Sequence, residues 1–514
     1  MKGPDDNDVV RANGRGGFDP LGGLVPFAPE VEKPAAPKRE EAKESAMAVR
    51  LVELVDADEL VVDERGDTYA HMLQDGHREL HRVRSRGFRS WLAGQMYDAE
   101  ERAPNGEALG SALNVIEAKA RRGPRVTLWN RVARGDDGAI WIDLADEQWR
   151  AVRVTSRGWE LHHDPPPLFR RYSHQQALPR PVPGGNAHKL LRFLNVASDD
   201  DALLFLASTV ATLVPNIPQA MLILHGPQGS AKTTAARVRR SLVDPSAVPT
   251  VIVRRDLGEL VQALDHHYMP LLDNLNTLSD WQSDIFCQAA TGGGFCKREL
   301  YSDADDVILS FRRPLVLTGI NVPAVAPDLL DRSILIRLER IVPERRQDET
   351  NFWQQFDAAR SEILGGLLDA LVGAMQIEST LSLGRLPRLA DFARWGAAAA
   401  EALGFGAGTF VKAMFANVER QIEEVVEYDP VAHAVVELAR AERQWSGSAS
   451  ELYEVLAKAR GSNTAEAGWP KRSADLGRRL NVLRSTLADL GVQVEPSRQG
   501  GGGRRRTWTI TCHS

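Results

Sequence analysis

Through the middle of the chain, short apolar runs ending in polar turns alternate with stretches of helical periodicity. This alternation predicts a parallel sheet with crossover helices. The clearest unit is residues 221–242, MLILHGPQGSAKTTAARVRRSL: an apolar strand, a glycine-rich turn and a helix start. An apolar helix over 202–213, opened by the acidic cap Asp199-Asp200-Asp201, leads into it. Further strands are predicted at 248–253, 268–274 (YMPLLDN), 314–321 (PLVLTGIN) and 334–336, with a helix over 257–264.

Other regions have other patterns. Residues 1–49 are rich in Pro, Gly, Lys and Glu and poor in large apolar residues, which predicts a disordered arm. Residues 50–163 read as an α+β module. In it, 60–62 and 69–72 flank the turn Arg65-Gly66-Asp67 as a hairpin. Helices follow near 88–92 and 108–120, and strands near 126–129, 139–142 and 149–152. The basic run from His81 to Arg89 sits at the mouth of a helix, as a phosphate contact or a solvated face. Asp56 and Asp58 are spaced as in a two-metal centre, but no second metal-binding constellation accompanies them.

The proline-rich run 164–185 (DPPPLFRRYSHQQALPRPVPGG) reads as an interdomain linker, and 186–345 as the nucleotide-type core. Helical patterns over 352–375, 389–403 and 410–426 make 346–428 a helical lid or collar. Three helices and a hairpin with a glycine-rich, cationic tip make 429–514 a winged helix.

The chain has 514 residues, 43% of them hydrophobic, enough for roughly three packed domains. A net charge of −6 argues against a uniformly basic nucleic-acid coat and directs attention to local surfaces. One such surface is plain: residues 471–514 hold nine Lys or Arg against three acids. Among them, Arg478, Arg479, Arg504, Arg505 and Arg506 are the expected DNA contacts of helix and wing, with a protein-docking role as the alternative. Cys287, Cys296 and Cys512 form no CxxC pair and no zinc spacing, which fits a reduced, cytoplasmic protein. No run approaches a membrane span, and the polar N-terminus is no secretory signal.

The glycine-rich turn carries the chemistry. Along Gly226-Pro227-Gln228-Gly229-Ser230-Ala231-Lys232-Thr233-Thr234, backbone N–H groups can point inward at a polyphosphate, and the helix N-terminus adds partial positive charge. Lys232 would reach the β- and γ-phosphates of ATP, and the Thr233 hydroxyl would ligate Mg²⁺. The usual pattern has glycine immediately before the lysine. Ala231 fits there only if its φ stays negative and its methyl group clears the phosphates. An ordinary strand–turn–helix connection is the alternative. Asp273, at the end of an apolar strand some forty residues on, is the candidate acid beside the magnesium. Asn321 would orient the attacking water. Arg332 would act as an arginine finger or, alternatively, pair within the chain to Asp328 or Asp331.

In this order, the glycine-rich turn, LLDN, TGGG followed by basic residues and Tyr301, LTGIN and PDLLDR resemble the superfamily III helicase-like branch of AAA+ ATPases. More closely, the chain is similar to the replication-type ATPases of phages, plasmids and integrated elements of bacteria, strongly over 190–345 and more loosely in the C-terminal segment. The resemblance implies an α/β P-loop core, an oligomeric, hexameric ring, ATP between subunits and single-stranded or forked DNA in the channel. It assigns Lys232 and Thr233 to the first motif, Asp273 to the second, Asn321 to the sensor and Arg332 to the finger. The hairpin from 291 to 301 would project towards the channel, with Lys297 and Arg298 on phosphates and Tyr301 on a base. Its alternative is a structural hairpin with a surface basic pair. Asn274 stands where many relatives carry a second acid, so either another carboxylate serves or hydrolysis is slow, and ATP binding is expected ahead of rapid turnover. The function expected is an ATP-dependent DNA motor, a replicative helicase of a mobile element. The rival is a non-translocating ATPase switch that remodels a protein partner.

Overall fold

Five consecutive residues, Met221 to His225, are all buried, and a strand loses both faces to solvent only inside a covered sheet. The computed structural model describes residues 39–56, 59–252, 256–275, 278–298, 306–319, 327–460, 469–498 and 506–513, and places that strand within a mixed α/β fold. Among the described residues no sheet closes into a barrel, and no helix is long and apolar enough to cross a membrane.

The N-terminal module begins with α1 (Arg39–Glu53), β1 (Leu60–Asp63), β2 (Thr68–Gln74), β3 (His77–Arg82), α2 (Arg86–Glu100), α3 (Gly106–Ala120) and β4 (Arg125–Val126). The expected hairpin forms, with Leu60 opposite Ala70 and Val62 opposite Thr68, in a sheet of order β3-β2-β1-β4. Two expectations change. The arm gives way to helix already at Arg39, because Leu51 and Val55 have a core to enter beside α3. The basic run begins on a strand, and the helix starts only after Ser85, whose hydroxyl accepts from the Phe88 amide at 3.1 Å.

A second layer follows: β5 (Leu128–Trp129), β6 (Val132–Arg134), β7 (Ile140–Asp143), β8 (Ala151–Thr155), β9 (Gly158–His162) and β10 (Leu168–Phe169). The strands β6 to β9 form an antiparallel meander, and β10 pairs in parallel with β5. Ile140, Ile142, Val152 and Val154 face the main core while Trp141 and Ala151 face the other way, as period-two alternation requires.

The proline-rich run is packed, which corrects the reading of it as a linker. Leu178 is buried and its amide donates to Leu144 O at 2.8 Å, Gln175 bridges to Ser246, and the Val182 amide donates to Ser361 O at 3.1 Å. Its last residues lie backbone-to-backbone on a long helix: a Cβ on Gly365 would sit 1.8 Å from Val182 O, and one on Gly185 2.1 Å from Glu362 O.

The core comprises α4 (Asp199–Ala211), β11 (Met221–His225), α5 (Lys232–Val243), α6 (Leu257–His266), β12 (Leu271–Leu272), α7 (Asp280–Thr291), a hairpin of β13 (Gly294–Arg298) and β14 (Asp306–Ser310), β15 (Val316–Thr318), α8 (Pro327–Leu330) and β16 (Ser333–Arg337). Its sheet has the order β12-β15-β11-β16, all parallel, and Val251 adds a single parallel bridge to Leu272 where a longer strand was expected. Leu222 lies opposite both Val316 and Ile334, and Leu271 opposite Val316. The carboxyl ends of β11, β12 and β15 therefore meet at one edge.

The helical layer is α9 (Glu349–Ile377), α10 (Ala390–Ala402) and α11 (Ala407–Tyr428), with α10 and α11 against α4. The alanines at 397–400 are fully buried there, and Gly396 leaves the space that the Phe410 ring fills. The last domain is α12 (Pro430–Glu442), β17 (Gln444–Ser448), α13 (Ala449–Arg460), α14 (Ser473–Asp489), β18 (Val492–Arg498) and β19 (Arg506–Cys512), with sheet order β17-β19-β18. The three expected helices and the hairpin are present, and β17 is an additional strand. Leu476, Leu480, Leu483 and Leu487 form the buried stripe of α14, which also packs against α8 of the core.

Candidate functional site

At the carboxyl edge of the parallel sheet the chain leaves β11 through Gly226, whose φ is +137°. A side chain there would meet Leu338 O at 2.2 Å, so the close approach requires glycine. The loop is pinned to the chain beyond β16, with the Leu338 amide donating to His225 O at 2.9 Å and the Ile341 amide to Gly229 O at 3.1 Å.

Ala231 corrects the expectation of a negative φ. It sits in the left-handed region at φ 60° and ψ 35°, as the residue that opens α5, and makes no side-chain cap. This conformation costs an L-residue about 1–2 kcal/mol. The turn from loop to helix imposes it, which is why glycine is the usual occupant. Among the described residues, the amides of Gln228, Gly229, Ser230, Ala231 and Lys232 donate to no backbone carbonyl. Together with the start of α5 they are a run of available donors suited to an anion.

Lys232 folds back over this run. Its Nζ donates to Gly226 O at 2.9 Å, Pro227 O at 3.0 Å and Ser230 Oγ at 3.4 Å. Burial lowers its pKa and the Asp273 carboxylate partly offsets the effect. At the next residue, Thr233 Oγ1 donates to Asp273 Oδ1 at 2.8 Å. The same oxygen accepts from Thr318 Oγ1, at the end of β15, and Thr318 Oγ1 in turn accepts from the Asn274 amide at 3.0 Å. A hydroxyl and a carboxylate meeting in this way are the hard oxygen donors that a magnesium ion prefers. Asn274 itself is exposed, at φ 57°, a conformation that Asn tolerates better than most residues.

Beside the loop opens a cleft of about 810 Å³, lined by Ala231 and Thr234 on one side and by Phe193, Arg345, Phe352 and Trp353 on the others. The Phe193 and Phe352 rings meet edge to face with centroids 5.7 Å apart. The cleft lies between the strand-bearing core and α9, where a planar group continuing from the loop would be enclosed.

The other expected residues fall variously. Asn321, Tyr301, Arg504 and Arg505 lie outside the described residues, as does Asp58. Lys297 and Arg298 pair with Val307 and Asp306 across the β13–β14 hairpin, and Arg506 opens β19 opposite Arg498. Arg332 takes the intrachain option: it pairs with the Asp328 carboxylate, donates to Asp328 O at 2.6 Å, and its side chain is 15% exposed. Arg478 projects outward beside Asp475, its side chain 79% exposed. Arg479 corrects its reading as a DNA contact. It turns inward to Asp429, whose Oδ1 accepts from the Val431 and Ala432 amides at the start of α12, so it braces the domain.

Sequence reading missed Thr318, because a threonine at a strand end belongs to no motif. It also missed His225, which is buried directly before the loop with Nδ1 3.3 Å from Glu424 of α11. Burial, reinforced by Arg337, Arg420 and Lys232, lowers its pKa to about 4, so the imidazole is neutral near pH 7.

Residues 187–420 match the family model of the actinomycete integrative conjugative element replication protein, and residues 431–514 match the AICE RepA C-terminal domain, between them more than half of the chain. The chain belongs to this family of mobile-element replication proteins. No curated protein matches it. Among solved structures, two apo structures of the NrS-1 C terminal region align at 10% and 11% identity, with TM-scores of 0.38 and 0.37. These alignments cover 90% and 91% of this chain and 98% and 99% of those chains.

Proposed function

We propose that the chain is an ATP-dependent DNA motor, a P-loop ATPase of the AAA+ kind that serves as replicative helicase of its mobile element and works as a homo-oligomeric ring on single-stranded or forked DNA. The observation that carries this reading is the meeting of Thr233 and Thr318 on Asp273 beside Lys232, at the carboxyl edge of a parallel sheet. In it the loop amides and Lys232 hold the triphosphate, while Thr233 and Asp273 hold Mg²⁺. The ion supplies charge neutralisation on the phosphates when bound. The cleft walled by Phe193, Phe352 and Trp353 encloses the base. Thr318 fixes the carboxylate that faces the ion. The basic β13–β14 hairpin and the outward Arg478 supply DNA contacts.

Asn274 favours the second reading, a slowly hydrolysing switch, because an amide cannot take a proton from water at neutral pH. One experiment separates them: ATP turnover with and without forked DNA, alongside strand displacement, for the native chain and Lys232→Ala. Turnover stimulated by DNA, strand displacement and loss of both in Lys232→Ala support the motor. Turnover indifferent to DNA, with no displacement, leaves the switch.

A further inference from the structure

A second cleft, of about 440 Å³, lies where the N-terminal module meets the core, with Trp129, Arg170 and Tyr172 on one wall and Gln219, Arg312 and Arg313 on the other. None of its lining residues belongs to the glycine-rich loop, and Asp273 and Thr318 are not among them. Clefts between domains are common ligand sites.

The polar groups of this cleft differ in how far the fold uses them. Arg65 is spent on Asp265, in a bidentate pair at 2.6 and 2.8 Å. Arg313 is spent on the carbonyls of Leu264, Arg312 and Asp265. Arg312 is different: it is exposed and donates to two neutral carbonyls, of Asn216 at 2.7 Å and Thr291 at 3.2 Å. Neutral partners leave its charge available to an anion. Deeper in, Arg170 pairs with Asp63, but its Nε is buried without a partner among the described residues.

Gln219 completes the set. It is 3% exposed, and its Nε2 donates to Val214 O at 3.1 Å, while its Oε1 is buried without a partner among the described residues. A buried acceptor left unpaired is costly, and a ligand that brings a donor removes that cost. Trp129 adds an aromatic wall.

An available guanidinium, an unpaired amide oxygen and an indole in one cleft match a phosphate, a base N–H and a base face. We propose that this cleft binds one nucleotide unit of single-stranded DNA, its phosphate at Arg312, its base against Trp129 and a ring or exocyclic N–H on Gln219 Oε1. A free nucleotide would offer the same chemistry. DNA is favoured by position, because Ser310 closes β14 of the basic hairpin and Arg312 follows two residues later. This choice rests on the proposed DNA role of that hairpin.

The test uses the full chain and a thymidine oligomer carrying 5-iododeoxyuridine, with cross-linked peptides located by mass spectrometry. A parallel arm uses free 5-iodo-dUTP, and the anisotropy of a fluorescein-labelled oligomer measures affinity for the native chain, Arg312→Ala and Arg312→Lys. The expected result is an oligomer cross-link on the peptide holding Trp129 or Tyr172. Arg312→Ala should weaken binding about fivefold or more and lower the salt slope by about one, with partial recovery in Arg312→Lys. Cross-links confined to the hairpin or winged helix, or weakened binding without a cross-link in the cleft, overturn the proposal. A cross-link from free nucleotide alone overturns the assignment to DNA. The oligomer arm is repeated in Lys232→Ala without ATP. A cleft cross-link there stands even if the ATPase reading fails.

Discussion

Thr233 and Thr318 approach from different elements, the start of α5 and the end of β15, yet donate their hydroxyls to the same atom, Asp273 Oδ1. Thr318 also receives the Asn274 amide at 3.0 Å, so one hydroxyl sets both the carboxylate and the turn behind it. Thr318→Val keeps the shape and removes that link. We expect a loss of about 1–2 kcal/mol in stability and roughly tenfold in ATP turnover, with ATP affinity little changed. Turnover equal to the native chain, in a variant with a lowered melting temperature, would show that Thr318 is structural only.

Ala231 holds a left-handed conformation that glycine adopts without strain. Ala231→Gly should therefore stabilise the protein by about 1 kcal/mol, the relief of strain exceeding the added entropy of the unfolded chain. Thermal melts at matched protein concentration measure this, and a lower melting temperature would mean that the methyl group packs favourably in the loop.

Asn274 sits beside the carboxylate in the same region of backbone space, which Asp also tolerates. Asn274→Asp supplies a proton acceptor without altering the turn. Turnover should rise severalfold at saturating ATP if the missing base limits hydrolysis. No change would place the limit elsewhere, for instance in product release.

Arg478 and Arg479 are neighbours with opposite fates. Arg478→Ala removes an exposed cation and should weaken DNA binding with a smaller salt slope at unchanged stability. Arg479→Ala leaves the buried Asp429 carboxylate without its cationic partner and should destabilise the C-terminal domain by about 3 kcal/mol. Anisotropy titrations at two salt concentrations and thermal melts on both variants check the contrast.

His174 and His267 pack with ring centroids 3.9 Å apart, near His266, Arg131, Arg240 and Asp244. Burial, above all, lowers their pKa values, to about 4 for His174 and about 3 for His267. Unfolded histidines titrate near 6.5, so as pH falls from about 6.5 towards 4 the unfolded chain gains protons that the folded one does not. Stability is full above pH 6.5 and is lost on acidification, by an amount on the order of 1 kcal/mol per histidine at pH 5. Melting temperatures from pH 7 to 5 should fall, and His174→Gln should flatten the decline.

What the sequence disclosed, and what it withheld, follows the range of each interaction. Lys232 and Thr233 were legible because a strand, a glycine turn and a helix start are contiguous, and Asp273 because a parallel strand ends on it. Thr318 was hidden because its importance depends on the register that sets Leu317 opposite Ile223. Arg479 was misread because successive helix positions turn by about 100°, and its partner Asp429 caps the start of another helix. Composition misjudged 164–185: prolines with fixed φ suit an extended strap as well as a tether, and what decides is the close backbone approach of Val182 to Gly365 and of Gly185 to Glu362.

That strap bears on where the chain can be cut. A truncation beginning at residue 186, where composition would put a domain boundary, removes Leu178 from the interior and the Val182 amide from Ser361 O. It also leaves the backbone of α9 bare at Gly365, with no side chain to cover it. The smallest piece that keeps the core whole must start upstream of the strap, so the N-terminal module's last strands travel with the core as part of its casing.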